Sequence, residues 1–376
     1  MAPQRSQSAR GYVATVSLPA LPPPIGTSGL TGWLRQNLFY NLTNSLMTIF
    51  TVVLIWLLLS SASGWFVFDA VMQAGSKQEC LKIDSGACWA VIGKRIEQFM
   101  FGFYPEAERW RPLVCFLLLF VAIGPLLLPS FPARRQMLWF SAFYPVLTGV
   151  LLLGGAFGMP PVKTALFGGF MLTLIVGVTG IAASLPLGIL LALGRQSKLL
   201  AVRTLSVMFI EFMRGVPLIT LLFVASTMLN YFLPPGTHFD LLLRVLIMVT
   251  FFSAAYIAEV IRGGLQAIPA GQYEAAQAIG LNYWQTTRLV TLPQALKISI
   301  PGIVNTFIGL YKDTTLVIVI GLLDPLGIGR AALADANWNG LSNEIYLFVA
   351  LFFFVSCFAM SRYSLWLEKR LATEHR

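Results

Sequence analysis

The chain has 376 residues, of which 57% are hydrophobic and only 11% are charged, and it carries a formal net charge of +10 at pH 7. A soluble domain has about 25% charged residues. This chain therefore has too few to cover a water-facing surface, and most of its outside must face lipid. The basic residues are spread among short loops instead of clustering with aromatic residues, which argues against a nucleic-acid-binding protein.

The N-terminal segment, residues 1–41, is polar, basic and rich in proline, which predicts a mostly disordered cytoplasmic tail. It is not typical of a signal peptide, because the first apolar run begins only near residue 43 and is longer than a signal h-region. Residues 42–160 are predicted to form an extension of three spanning helices with a long loop at 65–111. Residues 161–376 are predicted to form a second membrane domain with a long loop at 263–297.

Long apolar runs follow this tail. A spanning helix needs about 20 predominantly apolar residues. Enough segments meet or approach this length to predict an all-α polytopic membrane protein with about eight transmembrane helices. The segments are 43–64, 112–130, 137–157, 165–193, 206–231, 242–262, 299–322 and 345–367.

The basic residues in short loops predict the orientation, because such loops stay on the cytoplasmic side. The tail, the loops at 131–136 and 194–205 and the C-terminal end are rich in Lys and Arg. The alternate loops at 158–164, 232–241 and 323–344 are poor in them. With eight spans, this pattern predicts that both termini are cytoplasmic.

The loop at 65–111 is then external (periplasmic), in a compartment where disulfides persist. Cys80 and Cys88 both lie in it. Two readings stay open at this point, a disulfide between them or two free thiols at the loop surface.

The loop at 263–297 is cytoplasmic and has the pattern of a helical hairpin. Pro269 and Gly271 favour a break before a helix, and residues 272–279 are good helix formers. Gly280 follows where a left-handed residue would end that helix. A second amphipathic turn follows and is predicted to end at Leu292-Pro293, because proline does not continue a helix interior.

Three features suit this hairpin to docking on another protein. Glu274 lies in the first helix turn, where its negative charge complements the helix dipole, and Ala275 and Ala276 permit close approach. Tyr283 and Trp284 are aromatic residues of the kind that anchor interfaces.

These residues resemble a known family. Glu274-Ala275-Ala276, Gly280 and Leu292-Pro293, with a valine in the usual isoleucine position, are similar to the "EAA" loop of importer-type ABC transporter permeases. In that family the loop forms the coupling helix that docks on the ATP-hydrolysing subunit. The resemblance implies the same role for 270–293.

Other segments narrow the resemblance to permeases of polar amino-acid uptake (the HisM-like family). Glu211 to Leu218 is similar to the family's RGTPL segment, and 256–264 and 312–316 resemble two further family segments. Together they cover about 165–367, a five-span core. The three additional spans and the 65–111 loop are similar to the longer permeases of general L-amino-acid uptake, the AapM type.

The resemblance implies an assembly in the bacterial inner membrane. It predicts a second, related permease subunit, two ATPase subunits that bind ATP and Mg²⁺, and a periplasmic amino-acid-binding protein. The chain itself is expected to bind no cofactor, to do no covalent chemistry and to move L-amino acids by alternating access.

Ionisable residues inside spans are costly and usually face protein or a water-filled cavity. Lys312 and Asp313 are predicted mid-span, as substrate contacts or as a structural pair with another span. Thr314 and Thr315 could supply hydroxyl ligands. Two further charged pairs have the i, i+3 spacing of a shared helix face. Glu259 and Arg262 could be a local ion pair, or Glu259 could line the substrate path, and Glu211 and Arg214 could be a structural or gating pair.

The sequence contains no G-x-x-x-x-G-K-[ST] phosphate loop and no set of metal ligands at metal-binding spacing. The energy for transport must therefore come from another subunit or from an ion gradient. The alternative to a permease is an ion-coupled secondary transporter or a channel for small polar solutes. Such folds usually have internal repeats, none is evident here, and the cytoplasmic hairpin would have no role.

Overall fold

A computed structural model of the protein describes residues 29–84, 86–128, 131, 133–228, 231, 234 and 239–371. Most of the predicted tail 1–41 lies outside these residues. Its last part differs from the predicted disorder, because Gly29–Asn37 forms helix α1. The described residues are nearly all helical, which confirms the predicted all-α class.

The chain divides into two compact units, Met1–Asp69 and Ala70–Arg376. In the first unit, α2 (Leu42–Ser63) begins at Asn41, whose side chain accepts a hydrogen bond from the Asn44 backbone N–H at 2.7 Å. A π-helical turn, Gly64–Phe68, extends it. No residue of α2 is buried, so the helix presents an apolar surface on all sides, as a lipid-facing span does.

The second unit contains the other helices. They are α3 (Lys77–Ile83), α4 (Ala90–Phe101), α5 (Trp110–Leu127), α6 (Arg134–Leu153), α7 (Gly169–Arg195), α8 (Leu200–Gly215), α9 (Leu218–Thr227), α10 (Leu241–Gln266), α11 (Ala270–Ala278), α12 (Leu292–Asp313), α13 (Pro325–Leu333) and α14 (Ser342–Leu371).

Among the described residues, 6 helices are long and apolar enough to cross a membrane, or up to 7 if the bent pair α8 and α9 counts as one span. The predicted second span, 112–130, corresponds to α5, which has 18 residues. This length is near the lower end of the roughly 17–25 residues that a span requires. The count of eight spans therefore stays a prediction.

The predicted fifth span, 206–231, is not one continuous helix. It breaks after α8, and α9 continues at an angle of 100°. Pro217 has no N–H to donate, and it disfavours the helical conformation for the preceding Val216, whose φ of −112° and ψ of 133° are extended. The sequence pattern treated Pro217 as part of a family segment, whereas its physical effect is to end α8.

A buried cation secures the far end of the broken span. The Arg244 guanidinium lies inside the protein and donates hydrogen bonds to the backbone carbonyls of Ser226 at 2.9 Å and of Phe239. Carbonyls in the last turn of a helix lack partners within the helix. Arg244 therefore satisfies such groups at the end of α9 and fixes α9 against α10.

Helix α10 is the centre of the second unit and packs closely against α7 and α12. Glycines permit these contacts, because small residues let helices approach closely. A Cβ atom on Gly188 of α7 would lie 2.6 Å from Ile257 Cγ2 of α10. Gly264 lies within α10, which continues to Gln266, and packs against Ala295 of α12.

Residues 70–111, which make up most of the predicted loop 65–111, pack against α13 and α14. Cys80 and Cys88 form a disulfide with their Cα atoms 5.8 Å apart. The Cys88 N–H donates to the Glu344 carboxylate at 3.2 Å, and Arg95 forms an ion pair with Asp335. Through these contacts α3 and α4 lie beside α13 and the start of α14.

Adjacent glycines at the end of α10 allow a matched test of this packing. A Cβ atom on Gly264 would collide with Ser299 Oγ and lie 2.6 Å from the Ala295 carbonyl oxygen, whereas one on Gly263 meets nothing within 4 Å. We expect Gly264→Ala to destabilise the protein by about 1–3 kcal/mol. Gly263→Ala should be neutral or stabilise it by up to about 1 kcal/mol, because alanine favours a helix. The thermal unfolding midpoints of both variants in detergent would test this, and equal midpoints would contradict it.

Candidate functional site

The segment 263–297 contains the predicted helical hairpin. Helix α11 begins after Pro269 and ends at a turn in which Gly280 has a φ of +81°. The Leu281 N–H donates to the Ala276 carbonyl at 3.1 Å across this turn. Asn282 then starts the second arm, with reciprocal hydrogen bonds to Gln285. Glycine adopts the Gly280 conformation without strain, whereas most other residues, and β-branched ones above all, do not.

The second arm does not end at Leu292-Pro293. It runs from the helical turn Tyr283–Gln285 through a π-helical turn, Thr286–Thr291, directly into α12. Pro293 lies in the first turn of α12, where its missing N–H and fixed φ are tolerated. The hairpin is thus continuous with a membrane helix, within one apolar segment that extends from Tyr283 to Ile320.

The side chains of the hairpin separate into an inner and an outer set. Ala276 is buried, whereas Glu274 and Ala275 are exposed. Large apolar side chains beside them are also exposed, with 75% of Ile279 and 71% of Trp284 accessible. The predicted pair Ala275 and Ala276 therefore does not form one docking face. Ala276 packs inward, and the exposed aromatic and aliphatic residues lie around Gly280.

A cluster of charged residues joins the ends of three helices. Glu259 of α10 lies 2.9 Å from Arg262 on its own helix and 3.7 Å from Arg214 of α8. It also lies 2.8 Å from Arg195 of α7, an ionic contact without hydrogen-bond geometry. Arg195 bridges onward to Glu211 of α8 at 2.8 Å. The cluster therefore contains three cations and two anions.

The structure changes the predicted pairings. The local ion pair between Glu259 and Arg262, one of the two predicted alternatives, is present. Glu211 and Arg214 do not pair with each other in the described structure, because each has a closer partner on another helix. Arg195 belongs to the basic loop 194–205, from which only the orientation was predicted, and its contact with Glu259 was not expected. Its position, directly after a long uncharged span, was the available signal.

A cavity of about 310 Å³ lies between α10 and α12. Its polar lining comprises Ser253 and Tyr256 of α10 and Asn305, Thr306 and Asp313 of α12. Ser253 Oγ is buried and has no hydrogen-bond partner among the described residues. Buried hydroxyls nearly always have one, so this wall is suited to a polar ligand or water.

Of the four predicted residues in the 312–315 segment, only Asp313 lines this cavity. Thr314 is buried and donates its hydroxyl to the Tyr311 carbonyl at 2.8 Å, and Thr315 donates to the Lys312 carbonyl at 2.9 Å. These hydroxyls are used by the helix backbone. Lys312 is exposed. The segment lies where α12 changes to a 3₁₀ turn, Thr314–Ile320.

Tyr256 connects the charge cluster to the cavity. The Arg214 guanidinium lies 5.5 Å from the centre of the Tyr256 ring, within the range of a cation–π contact. Tyr256 forms part of the cavity wall, and Glu259 follows it by three residues on the same face of α10. The cavity wall therefore carries a carboxylate at Asp313, and the Arg214 guanidinium contacts Tyr256 of that wall without lining the cavity itself.

A second cavity of about 310 Å³ lies between α6, α7 and α10 and differs in chemistry. Its wall is mostly aliphatic, including Leu152, Ile175 and Leu246. Thr164 at its edge already donates a hydrogen bond to Asp240. A polar solute would lose hydrogen bonds to water there without replacement, so the first cavity is the candidate site.

This fold, a helical membrane domain with a polar cavity and a polar hairpin continuous with one of its helices, is that of a multi-pass transport protein. Residues 184–373 match the family described as "Binding-protein-dependent transport system inner membrane component". The chain belongs to this family of ABC importer permeases, which work with a substrate-binding protein and an ATPase in the bacterial inner membrane.

Two relatives match almost the whole chain. The glutamate/glutamine/aspartate/asparagine transport system permease protein BztC of Rhodobacter capsulatus is 47% identical over 432 aligned positions, which cover 97% of this chain and 99% of BztC. The inner membrane amino-acid ABC transporter permease protein YhdY of Escherichia coli is 48% identical, over 95% of this chain and 97% of YhdY.

A shorter relative matches only part. The probable glutamine ABC transporter permease protein GlnM of Bacillus subtilis is 35% identical over 54% of this chain, yet the match covers 91% of GlnM. The family match at 184–373 includes the hairpin, the charge cluster and the cavity. Helices α2 to α6 and the disulfide lie outside it, so a permease of this family is nearly complete with about half the present length.

The shared Glu259 carboxylate predicts strong coupling between its partners. Glu259→Gln should destabilise the protein by about 3–5 kcal/mol, because it leaves arginines without a compensating charge at a mostly buried site. Arg195→Gln should cost less once Glu259 is already replaced. Thermal midpoints of the two single variants and the double variant would measure the coupling, with the exposed Glu368→Gln as the control. Strictly additive losses would show that the two residues act independently.

Proposed function

We infer that this chain is the membrane-spanning permease subunit of an ABC importer for amino acids. The observation that carries this inference is the cytoplasmic hairpin that continues into α12, the helix that lines the polar cavity. The family match and the amino-acid permeases among the relatives support it. The chain itself does no covalent chemistry, and a separate ATPase subunit hydrolyses ATP.

The cavity between α10 and α12 is proposed as the place where the substrate passes. Asp313 would accept hydrogen bonds from an α-ammonium group, and Arg214 beside Tyr256 would attract an α-carboxylate. Ser253 and Asn305 would bond a polar side chain, and the Thr306 hydroxyl, which donates to the Gly302 carbonyl at 2.9 Å, could act only as an acceptor. These groups fit an L-amino acid with a short polar side chain, in keeping with the substrates named for BztC.

The hairpin is proposed as the coupling segment. Its exposed residues, Glu274, Ala275, Ile279 and Trp284, would contact the ATPase subunit. Gly280 sets the turn between the arms, and Leu292-Pro293 connects the second arm to α12. Because no loop separates this arm from α12, a displacement of the hairpin by the ATPase would move one wall of the cavity. This is a physical route for alternating access.

The remaining assembly follows from the family. We propose that a related but non-identical permease subunit pairs with this chain, together with two ATPase subunits that bind ATP and Mg²⁺. A periplasmic amino-acid-binding protein would deliver the substrate. Both termini would be cytoplasmic, residues 42–160 would form an extension, and residues 161–376 the permease domain. The path to the cytoplasm would run past Glu259, Glu211 and Arg214.

The cavity assignment is tested by Asp313→Asn, with Lys312→Gln as the adjacent control. Loss of a charge-assisted hydrogen bond to the substrate should reduce amino-acid uptake about 10- to 150-fold. Lys312→Gln should transport normally, since Lys312 does not line the cavity. Uptake of labelled amino acid by proteoliposomes containing the whole complex would measure both. Normal uptake by Asp313→Asn would exclude Asp313 as a substrate contact.

The coupling assignment is tested at Gly280. A β-branched residue is strained at its φ of +81°, whereas asparagine tolerates it. Gly280→Val should therefore abolish copurification of the ATPase while the chain still inserts, and Gly280→Asn should retain it. Uptake should also persist when an uncoupler collapses the proton gradient but ATP is supplied. Normal coupling by Gly280→Val, or loss of uptake by the uncoupler alone, would favour the secondary-transporter alternative.

A further inference from the structure

The cytoplasmic end of α14 approaches the turn between α5 and α6 at a group of basic and aromatic side chains. The Tyr363 hydroxyl of α14 donates a hydrogen bond to the Leu127 carbonyl at the end of α5, at 3.4 Å. Arg134, the first residue of α6, donates from Nε to the Pro125 carbonyl at 3.1 Å. The extension and the permease core therefore meet at this point.

Two arginines from different parts of the chain are connected to Tyr363 through shared contacts. Arg134 and the Tyr363 hydroxyl both donate to carbonyls in the last turns of α5, those of Pro125 and Leu127. Arg370 lies 5.2 Å from the centre of the Trp366 ring, and the rings of Tyr363 and Trp366 are 5.6 Å apart. A basic site is thus formed between helices that are more than 200 residues apart in sequence, Arg134 and Arg370 being 236 apart.

Further positive charge surrounds this site. Arg362, Trp366 and Arg370 are four residues apart, so they follow one face of α14. Arg135 follows Arg134 in the sequence, and Lys369 precedes Arg370. Glu368 falls on the opposite side of α14 from Trp366 and Arg370. The four arginines are exposed, and within the described residues none of them forms an ion pair.

This charge differs from the other arginine cluster of the protein. Around Glu259, two carboxylates offset three cations. Around Tyr363 the arginines have no carboxylate partner in the described structure, and the half-buried Tyr363 and the exposed Trp366 accompany them. Tyrosine and tryptophan at the end of a spanning helix are typical of the layer of lipid headgroups. A guanidinium pair there can bind a phosphate through two parallel hydrogen bonds each.

We propose that Arg134 and Arg370, with Tyr363 and Trp366, bind the headgroup of an anionic phospholipid. The phosphate lies between the two guanidinium groups, and the acyl chains follow the apolar surfaces of α6 and α14 into the membrane. The lipid thereby joins the extension to the permease core on the cytoplasmic side. Anionic lipids are attracted to juxtamembrane basic residues by about 1 kcal/mol per Lys or Arg. The site is independent of the substrate cavity and of the hairpin.

The test uses the full chain, purified in detergent and in nanodiscs of phosphatidylcholine alone or with phosphatidylglycerol. Native mass spectrometry should find phosphatidylglycerol retained in preference to phosphatidylcholine, and phosphatidylglycerol should raise the thermal midpoint of the wild-type protein. Arg134→Gln with Arg370→Gln should weaken retention about 30-fold, the equivalent of about 2 kcal/mol at 1.4 kcal/mol per tenfold. Arg203→Gln is the control, as an exposed arginine on α8 outside the site.

Several outcomes would overturn the proposal. Equal stabilisation of the wild type by both lipids would do so without any variant, and so would equal loss of phosphatidylglycerol in Arg203→Gln and in the double variant. Displacement of the lipid by inorganic phosphate alone would indicate a free-anion site instead. If the glutamine variant fails to insert, Arg134→Lys with Arg370→Lys keeps the charge that directs topology. It should still lose part of the preference, because lysine lacks the bidentate geometry, and unchanged preference would contradict the proposal.

Discussion

One carboxylate, that of Glu259, connects three helices of the permease domain. It lies between arginines of α7, α8 and α10, with 14% of its side chain exposed. A charge in a membrane protein is stable only where opposite charges or hydrogen bonds compensate for lost hydration. The arginines alone would repel one another, and Glu259 alone would be poorly solvated. The attraction between Glu259 and these arginines holds α8 against α7 and α10. Because Pro217 ends α8 just after Arg214, the bend lies next to the cluster.

This arrangement places the cluster next to the cavity, toward the C-terminal end of α10. Ser253, Tyr256 and Glu259 follow at three-residue intervals, and Arg214 of α8 contacts both Tyr256 and Glu259. The opposite wall belongs to α12, whose helix continues without a break into the second arm of the hairpin. A movement of the hairpin therefore acts on the α12 wall, while the charge cluster holds the α10 wall to α7 and α8. A cavity with one fixed and one movable wall is suited to opening alternately toward the two sides of the membrane.

The extension has a different physical role. Outside the membrane it is attached to the core by the contacts of Cys88 and Arg95 with Glu344 and Asp335, and the disulfide constrains the chain between α3 and α4. At the other end the contact between α5 and α14 is sparse and basic, which is where a lipid headgroup would complete it. Because the shorter relative GlnM matches only about half of this chain, these attachments distinguish a long permease from a short one. They do not touch the residues proposed for transport.

The sequence by itself determined the membrane class, the approximate positions of most apolar helices and the hairpin, because apolar length, glycine and the EAA pattern are local features. It also indicated Glu259, Glu274, Gly280 and Asp313 as residues of interest. Only the tertiary structure decided that Arg195 joins Glu259, that the helix breaks at Pro217 and that Pro293 starts a helix instead of ending one. It likewise decided that Asp313, and not Thr314, lines the cavity with Ser253 and Asn305. Such choices depend on which helices lie side by side and which face each presents, and no pattern along one segment contains that information.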